Sequence, residues 1–172
     1  MRNPTRVHHR AANIFATALM TGGMMLATVA TATVSHAAEF PAAQISPGDQ
    51  QAILSETNSV RAQAGQSGLT WDGGLASAAQ SWADNPASTA GGSLHHGPTG
   101  NAAENMSSAG PRQATGHWAS EKSAYDSDPN HDPYANQAGY YRWGHYYNMI
   151  NPSYSKMGCG AKSGVTVCRY AP

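Results

Sequence analysis

The segment Gly158 to Tyr170, GCGAKSGVTVCRY, constrains this chain more than any other. It holds both cysteines, and Ser163-Gly164 stands midway between them. If Ser163-Gly164 is a two-residue hairpin turn, Lys162 faces Val165, and counting outward sets Cys159 opposite Cys168. That position is a non-hydrogen-bonded pair, where Cα atoms lie about 4.5 Å apart, within reach of a disulfide. A thiol metal site is the alternative, but no histidine lies nearby to complete it. A Cys159–Cys168 disulfide is therefore expected, and with it an oxidising compartment.

The start of the chain points the same way. Arg2, Arg6 and Arg10 precede the uncharged run NIFATALMTGGMMLATVATATV, and Ser35-His36-Ala37 offers small residues where a signal peptidase needs them. Residues 1–37 are read as a secretory signal peptide cut near Ala37 or Ala38, and 38–46 as a linker. The run is long enough to span a bilayer, but its Ala, Thr and Gly content makes it a weak anchor. No twin-arginine pair is present, which implies ordinary export. No later segment is apolar enough for stable membrane insertion.

About 135 residues then remain, the size of one domain with its own core. Without the three leader arginines, seven cations face ten acids, for a formal charge of −3. With no Lys/Arg cluster, nucleic acid and anionic membranes are excluded as partners. The 18 glycines and 10 prolines imply long loops between short elements.

Ser46-Pro47-Gly48-Asp49 carries the signals of a helix start. Ile53, Leu54, Thr57, Val60 and Ala64 continue at helical spacing until Gly65 stops them. A second helix follows Asp72, buries Leu75, Ala78, Ala79 and Trp82, and ends near Asn85-Pro86. A loop from Ala87 to about Asn101 contains His95 and His96. The spacing predicts a third helix from Pro111 to Tyr125, with Ala114, Trp118, Glu121 and Tyr125 on one stripe. A carboxylate on that apolar face needs a partner or is disfavoured in its charged form. The alternation in GHYYNMI predicts a strand over 144–150, with His145, Tyr147 and Met149 on one face. The hairpin Met157–Lys162 and Val165–Tyr170 closes an α+β fold whose sheet is covered by helices on both sides.

Several short motifs then combine. They are Asn58-Ser59-Val60-Arg61, Leu69-Thr70-Trp71-Asp72 with Leu75-Ala76, and Leu94-His95-His96. Ala103-Glu104-Asn105-Met106, Trp118-Ala119-Ser120-Glu121 with Tyr125, Gly144-His145-Tyr146, Gly158-Cys159 and the terminal Val167-to-Pro172 run follow. In this order and spacing, residues 47–172 resemble a CAP domain, also called SCP. The family comprises cysteine-rich secretory proteins, antigen 5 and pathogenesis-related protein 1. The resemblance implies a three-layer α-β-α sandwich with a central antiparallel sheet. It also implies a cleft tetrad of His96, Glu104, Glu121 and His145. His96 is preferred to His95 because the family pattern is Leu, any residue, His. Several positions depart from the pattern. Gly97 replaces the usual Ser, Ala103 the usual Gly, and Asn151 stands where Trp is common. These departures suggest a microbial member related to the pathogenesis-related 1 branch.

Two imidazoles and two carboxylates suit a borderline divalent cation such as Zn2+. The resemblance implies His96 and His145 as metal ligands, weakly binding because two protein ligands are fewer than a stable zinc site has. The reading is a secreted, extracellular or cell-wall-associated monomer. It is non-enzymatic and binds a small-molecule, lipid or cell-surface ligand near the tetrad, with Tyr140, Tyr141, Trp143 and Tyr147 at its rim. A metal-dependent hydrolase using Glu104 or Glu121 on a bound water is the second reading. Neither a Gly-x-Ser-x-Gly elbow nor a His-Glu-x-x-His motif supports it. Lipid or sterol capture is a third reading. DSDPNHD (126–132) begins like a calcium loop but lacks the sixth-position Gly and twelfth-position Glu, so it reads as a solvated acidic loop. Asn105-Met106-Ser107 fits a glycosylation pattern, yet Asn105 is expected to face inward.

Overall fold

Side-chain caps open the helices that the sequence delimits most sharply. In the computed structural model, which describes residues 45–172, the Ser46 hydroxyl accepts the Asp49 N–H at 3.1 Å. Helix α1 then runs Pro47–Gln63, and Gly65 takes a φ of 73° just past its end. Asp72 accepts the Leu75 N–H at 2.8 Å and opens α2, Gly73–Asp84. The short strand β1, Thr70–Trp71, lies between them. The leader read over 1–37, and all of the 38–46 linker before Ile45, fall outside the described residues.

A 3₁₀ segment, Pro86–Gly92, leads into the histidine loop and then into β2, Ala103–Ser107. The expected third helix is two helices. Helix α3 covers Pro111–Ser120 and α4 covers Lys122–Ser127. The break falls at Glu121, whose N–H reaches the carbonyl of Trp118, only three residues back, at 3.3 Å.

The strand expected over 144–150 is instead the second half of a helix, α5, Gln137–Ile150. Asn136 caps it by accepting the Gly139 N–H at 3.0 Å. Seven alternating residues were too short a window. Extended upstream, the buried Gly139, Trp143, Tyr146 and Ile150 recur at intervals of three and four.

The hairpin of β3, Lys156–Lys162, and β4, Val165–Ala171, has the expected register, with Lys162 opposite Val165 and Cys159 opposite Cys168. The disulfide is formed, with the Cα atoms 4.1 Å apart. The sheet order is β1-β3-β4-β2. It is not wholly antiparallel, because β1 pairs with β3 in parallel. That pairing needs a long crossover, which the chain from α2 to α5 provides. Strand β2, in the stretch after the histidine loop, pairs antiparallel with β4 and forms an edge of the sheet.

Period-two alternation sends the two sheet faces into separate cores. On one face, Met157, Cys159, Cys168 and Tyr170 pack with Ile53, Trp118, Tyr146 and Met149 from α1, α3 and α5. On the other, Met106, Val165 and Val167 meet Ala79 and Ala83 of α2. The result is the α-β-α sandwich. Helix α2 lies so close to β3 that a Cβ on Gly158 or Gly160 would collide with helix backbone at Ala76 or Gln80. Arg61 is 1% exposed and has no carboxylate partner among the described residues. Its guanidinium donates to the carbonyls of Ser67, Met149, Asn151 and Tyr154 at 2.6–3.1 Å. Two of these lie at the C-terminal end of α5, where the helix dipole favours a cation.

Candidate functional site

The histidine loop is fastened from within. The His95 ring turns back to the Ala90 carbonyl (Nε2 to O, 2.9 Å), and the His95 carbonyl accepts the Trp82 indole N–H at 2.8 Å. The indole also explains Gly97. A Cβ at that position would come within 2.6 Å of the Trp82 ring, so Ser cannot stand there without moving Trp82. His95 thereby anchors the loop, and His96 is left to face the cleft.

His96 Nδ1 lies 3.0 Å from Glu104 Oε1, which also accepts the Gly97 N–H at 2.9 Å. The other oxygen of Glu104 accepts from Arg169 Nε at 3.0 Å. Glu104 and Arg169 are register partners on β2 and β4, with side chains only 2% and 7% exposed. Burial pushes the Glu104 carboxyl upward. The bonds from His96, Gly97 and Arg169 together outweigh it and hold the group below the ordinary carboxylate range.

The second pair comes from the other side of the sheet. His145 Nδ1 lies 2.6 Å from Glu121 Oε1. Glu121 Oε2 accepts the main-chain N–H groups of His145 and Tyr146 at 3.0 and 3.2 Å. Glu121, at the α3–α4 break, thus has the partner its apolar stripe demanded. Asn105 sets the position of this half. It is fully buried, donates to the His145 carbonyl at 2.9 Å and accepts from Asn148 at 2.9 Å. An inward role, not glycosylation, is what its burial permits.

His96, Glu104 and His145 line one cavity of about 340 Å³, with Tyr140, Tyr141 and Gly144. Glu121 stands behind His145 and does not line it. Among the expected rim aromatics, Trp143 is elsewhere: it is fully buried and donates its indole N–H to Asp128 at 3.0 Å. Tyr147 lines a second, adjoining cavity. Arg169 was not singled out for a site role. A lone cation one residue after a buried cysteine, on the face opposite it, is the signal that could have found it once β2 was recognised as a strand.

DSDPNHD is not a solvated acidic loop at Asp128. That side chain accepts from Trp143, Asn136, Arg142 and the Asn130 N–H. The Trp143 and Asn130 bonds, helped by Asn136 and Arg142, outweigh desolvation and bring its pKa to about 2. Its oxygens are taken up by N–H donors, so they do not open toward a cation.

Residues 54–170 match the model of the cysteine-rich secretory protein family, CAP. The chain belongs to the CAP family. It is 29% identical over 128 residues to pathogenesis-related protein 1B of Nicotiana tabacum, across 72% of this chain and 74% of that protein. Its fold is similar to that of the hookworm platelet inhibitor (TM-score 0.52, 20% identity, 76% of this chain and 72% of that one). It is also similar to an extracellular SCP-domain protein from Bacillus anthracis str. Ames (TM-score 0.51, 17% identity), covering 72% of this chain and 40% of that one. Among the described residues, no helix of this CAP protein is long and apolar enough to cross a membrane.

Proposed function

We propose that this CAP protein is a secreted, non-enzymatic binding protein whose cleft presents two imidazoles to a divalent cation and its ligand. One observation carries the reading: each histidine spends Nδ1 on its own carboxylate. Such a bond selects the tautomer with the proton on Nδ1 and raises the basicity of Nε2, the atom left for a metal. His96 and His145 both line the same cavity. Among the described residues no group of three or more His, Cys, Asp or Glu side chains is arranged to hold a metal. A cation such as Zn2+ would thus have the two imidazoles as its protein ligands, and solvent or ligand atoms would have to complete its shell.

The same hydrogen bonds weigh against hydrolysis. A bound cation would supply Lewis acidity, but a general base needs an available lone pair and a pKa near the working pH. Glu104 accepts three hydrogen bonds and its pKa is lowered. Glu121 accepts three as well. Both carboxylates are engaged in orienting histidines. Export is supported by the disulfide, the leader-like start and the extracellular nature of the similar Bacillus anthracis protein.

Zinc should raise the melting temperature of the protein near neutral pH, and His96→Ala and His145→Ala should each abolish the rise. An equal zinc response in wild type and both variants would refute the two-imidazole site.

A further inference from the structure

The cleft continues beyond the histidines. A second cavity of about 550 Å³ adjoins the first, and Gln137, Tyr140 and Asn148 line both. Both volumes lie in the roughly 300–1,000 Å³ range of small-molecule sites. The lining of the second is made of Tyr, Asn, Gln, Ala, Gly and Pro, without one charged side chain. Four tyrosines, Tyr134, Tyr140, Tyr147 and Tyr154, share it with the side-chain amides of Asn101 and Gln137. Those two amides make no hydrogen bond within the described residues, so their donors and acceptors are available to a ligand.

Three of the rings are held in place. Tyr140 and Tyr147 meet edge to face at 6.2 Å, and Tyr154 stacks on buried Tyr170 at 6.2 Å. The fourth, Tyr134, is 96% exposed, but its main chain is fastened. Its N–H and that of Ala135 both donate to Asp132 Oδ1, at 2.8 and 3.1 Å. Asn136 ties the same loop to Asp128 and to the Asn130 carbonyl. A bare aromatic face on a pinned loop has no packing role within the described residues. The pinned main chain keeps the ring at the groove, which removes the backbone part of the ordering cost of binding.

We infer that this tyrosine- and amide-lined groove binds a neutral oligosaccharide, which runs from Tyr134 toward the histidine cleft. Sugar rings present C–H faces that stack on aromatic rings and hydroxyls that need uncharged donors and acceptors. The lining offers both: each tyrosine has an apolar body with a polar tip, and the amides donate and accept at once. Anionic chains lack a cation to meet in the groove, and an acyl chain would strand the free amides without partners. The inference rests on the cleft being a ligand site, because the two cavities share a wall.

The test is calorimetric titration of the full secreted protein with neutral tetrasaccharides, one of β-1,4-linked glucose and one of β-1,4-linked N-acetylglucosamine. At least one should bind. Tyr134→Ala should weaken it by about ten-fold with an unchanged melting temperature, since the ring is exposed. Asn101→Ala should also weaken it. Because no charge is involved, affinity should barely change between low and about 0.5 M salt. Failure of both sugars to bind at millimolar concentration, affinity untouched by Tyr134→Ala, or a steep salt dependence would each overturn the inference. So would tight binding of an uncharged tetrapeptide without sugar binding. The zinc response of the histidine variants stands apart: loss of sugar binding with that response intact overturns the groove and leaves the metal cleft standing.

Discussion

Glu104→Gln removes a charge with almost no change in volume, so it isolates what the carboxylate does. In the wild type all three of its partners can donate: His96 Nδ1, the Gly97 N–H and Arg169 Nε. A Gln amide has one accepting and one donating face, so one side must meet a donor. If the oxygen faces the loop, the amide NH2 confronts Arg169, whose side chain is 7% exposed. If the oxygen faces Arg169, His96 can shift its proton to Nε2 and accept, but the Gly97 N–H is stranded. The second arrangement is cheaper. It still forfeits a charge-assisted bond, about 1.5–3 kcal/mol, and leaves the guanidinium buried without its counter-ion. Breaking a buried pair costs about 3–5 kcal/mol. The two costs overlap, so a loss of about 3 kcal/mol is expected. Urea unfolding at neutral pH with the disulfide intact measures it.

The pH dependence has a definite sign. Folding lowers the pKa of Glu104, so its contribution is complete above the ordinary carboxylate range. It is lost as pH falls through the lowered value. The gap between wild type and Glu104→Gln should therefore close on acidification. The variant should also answer zinc more weakly, because the shifted tautomer places a proton on Nε2. A stability within about 0.5 kcal/mol of wild type at neutral pH would refute this account of the pair.

Arg61→Met should destabilise the fold by about 3 kcal/mol in the same assay, because four carbonyls lose a buried donor set at once. A change below about 1 kcal/mol would show that solvent can replace the guanidinium. Gly160→Ala should cost at least about 2 kcal/mol in a thermal melt, since the added methyl meets the backbone of Gln80 and not a side chain that can yield. A wild-type melting temperature would mean that α2 can slide away from β3.

The elements that were legible in advance are those whose signals are local. Ser46 and Asp72 announce two helices because a cap binds an N–H three residues on. The hairpin register followed from turn length and a period of two, and it set Cys159 against Cys168. The 144–150 segment is helical where its pattern predicts a strand, because a short apolar alternation suits strand and helix alike. Its Asn136 cap lies eight residues before the run that looked like a strand. Strand β2 is silent in the sequence for a related reason: Ala103–Ser107 shows little pattern until β4 supplies a partner.

The site divides along the same line. His96, Glu104, Glu121 and His145 could be named from motifs, and Glu121 also from its odd place on an apolar stripe. Neither source could say that each carboxylate takes a histidine Nδ1, or that both histidines line one cavity. Nor could they say that Arg169 backs Glu104, that Trp82 excludes a side chain at Gly97, or that Trp143 is buried on Asp128.

By itself the sequence determined part of the local frame of this CAP protein: the Ser46 and Asp72 caps, the hairpin turn with its register, and the disulfide, all set by interactions between near neighbours. Tertiary structure alone decided the chemistry of the cleft. Its partners stand as far apart as Glu104 and Arg169, or Glu121 and His145. Hydrogen-bond saturation, burial and tautomer exist only once the sheet and α5 bring those groups within 3 Å or so of one another.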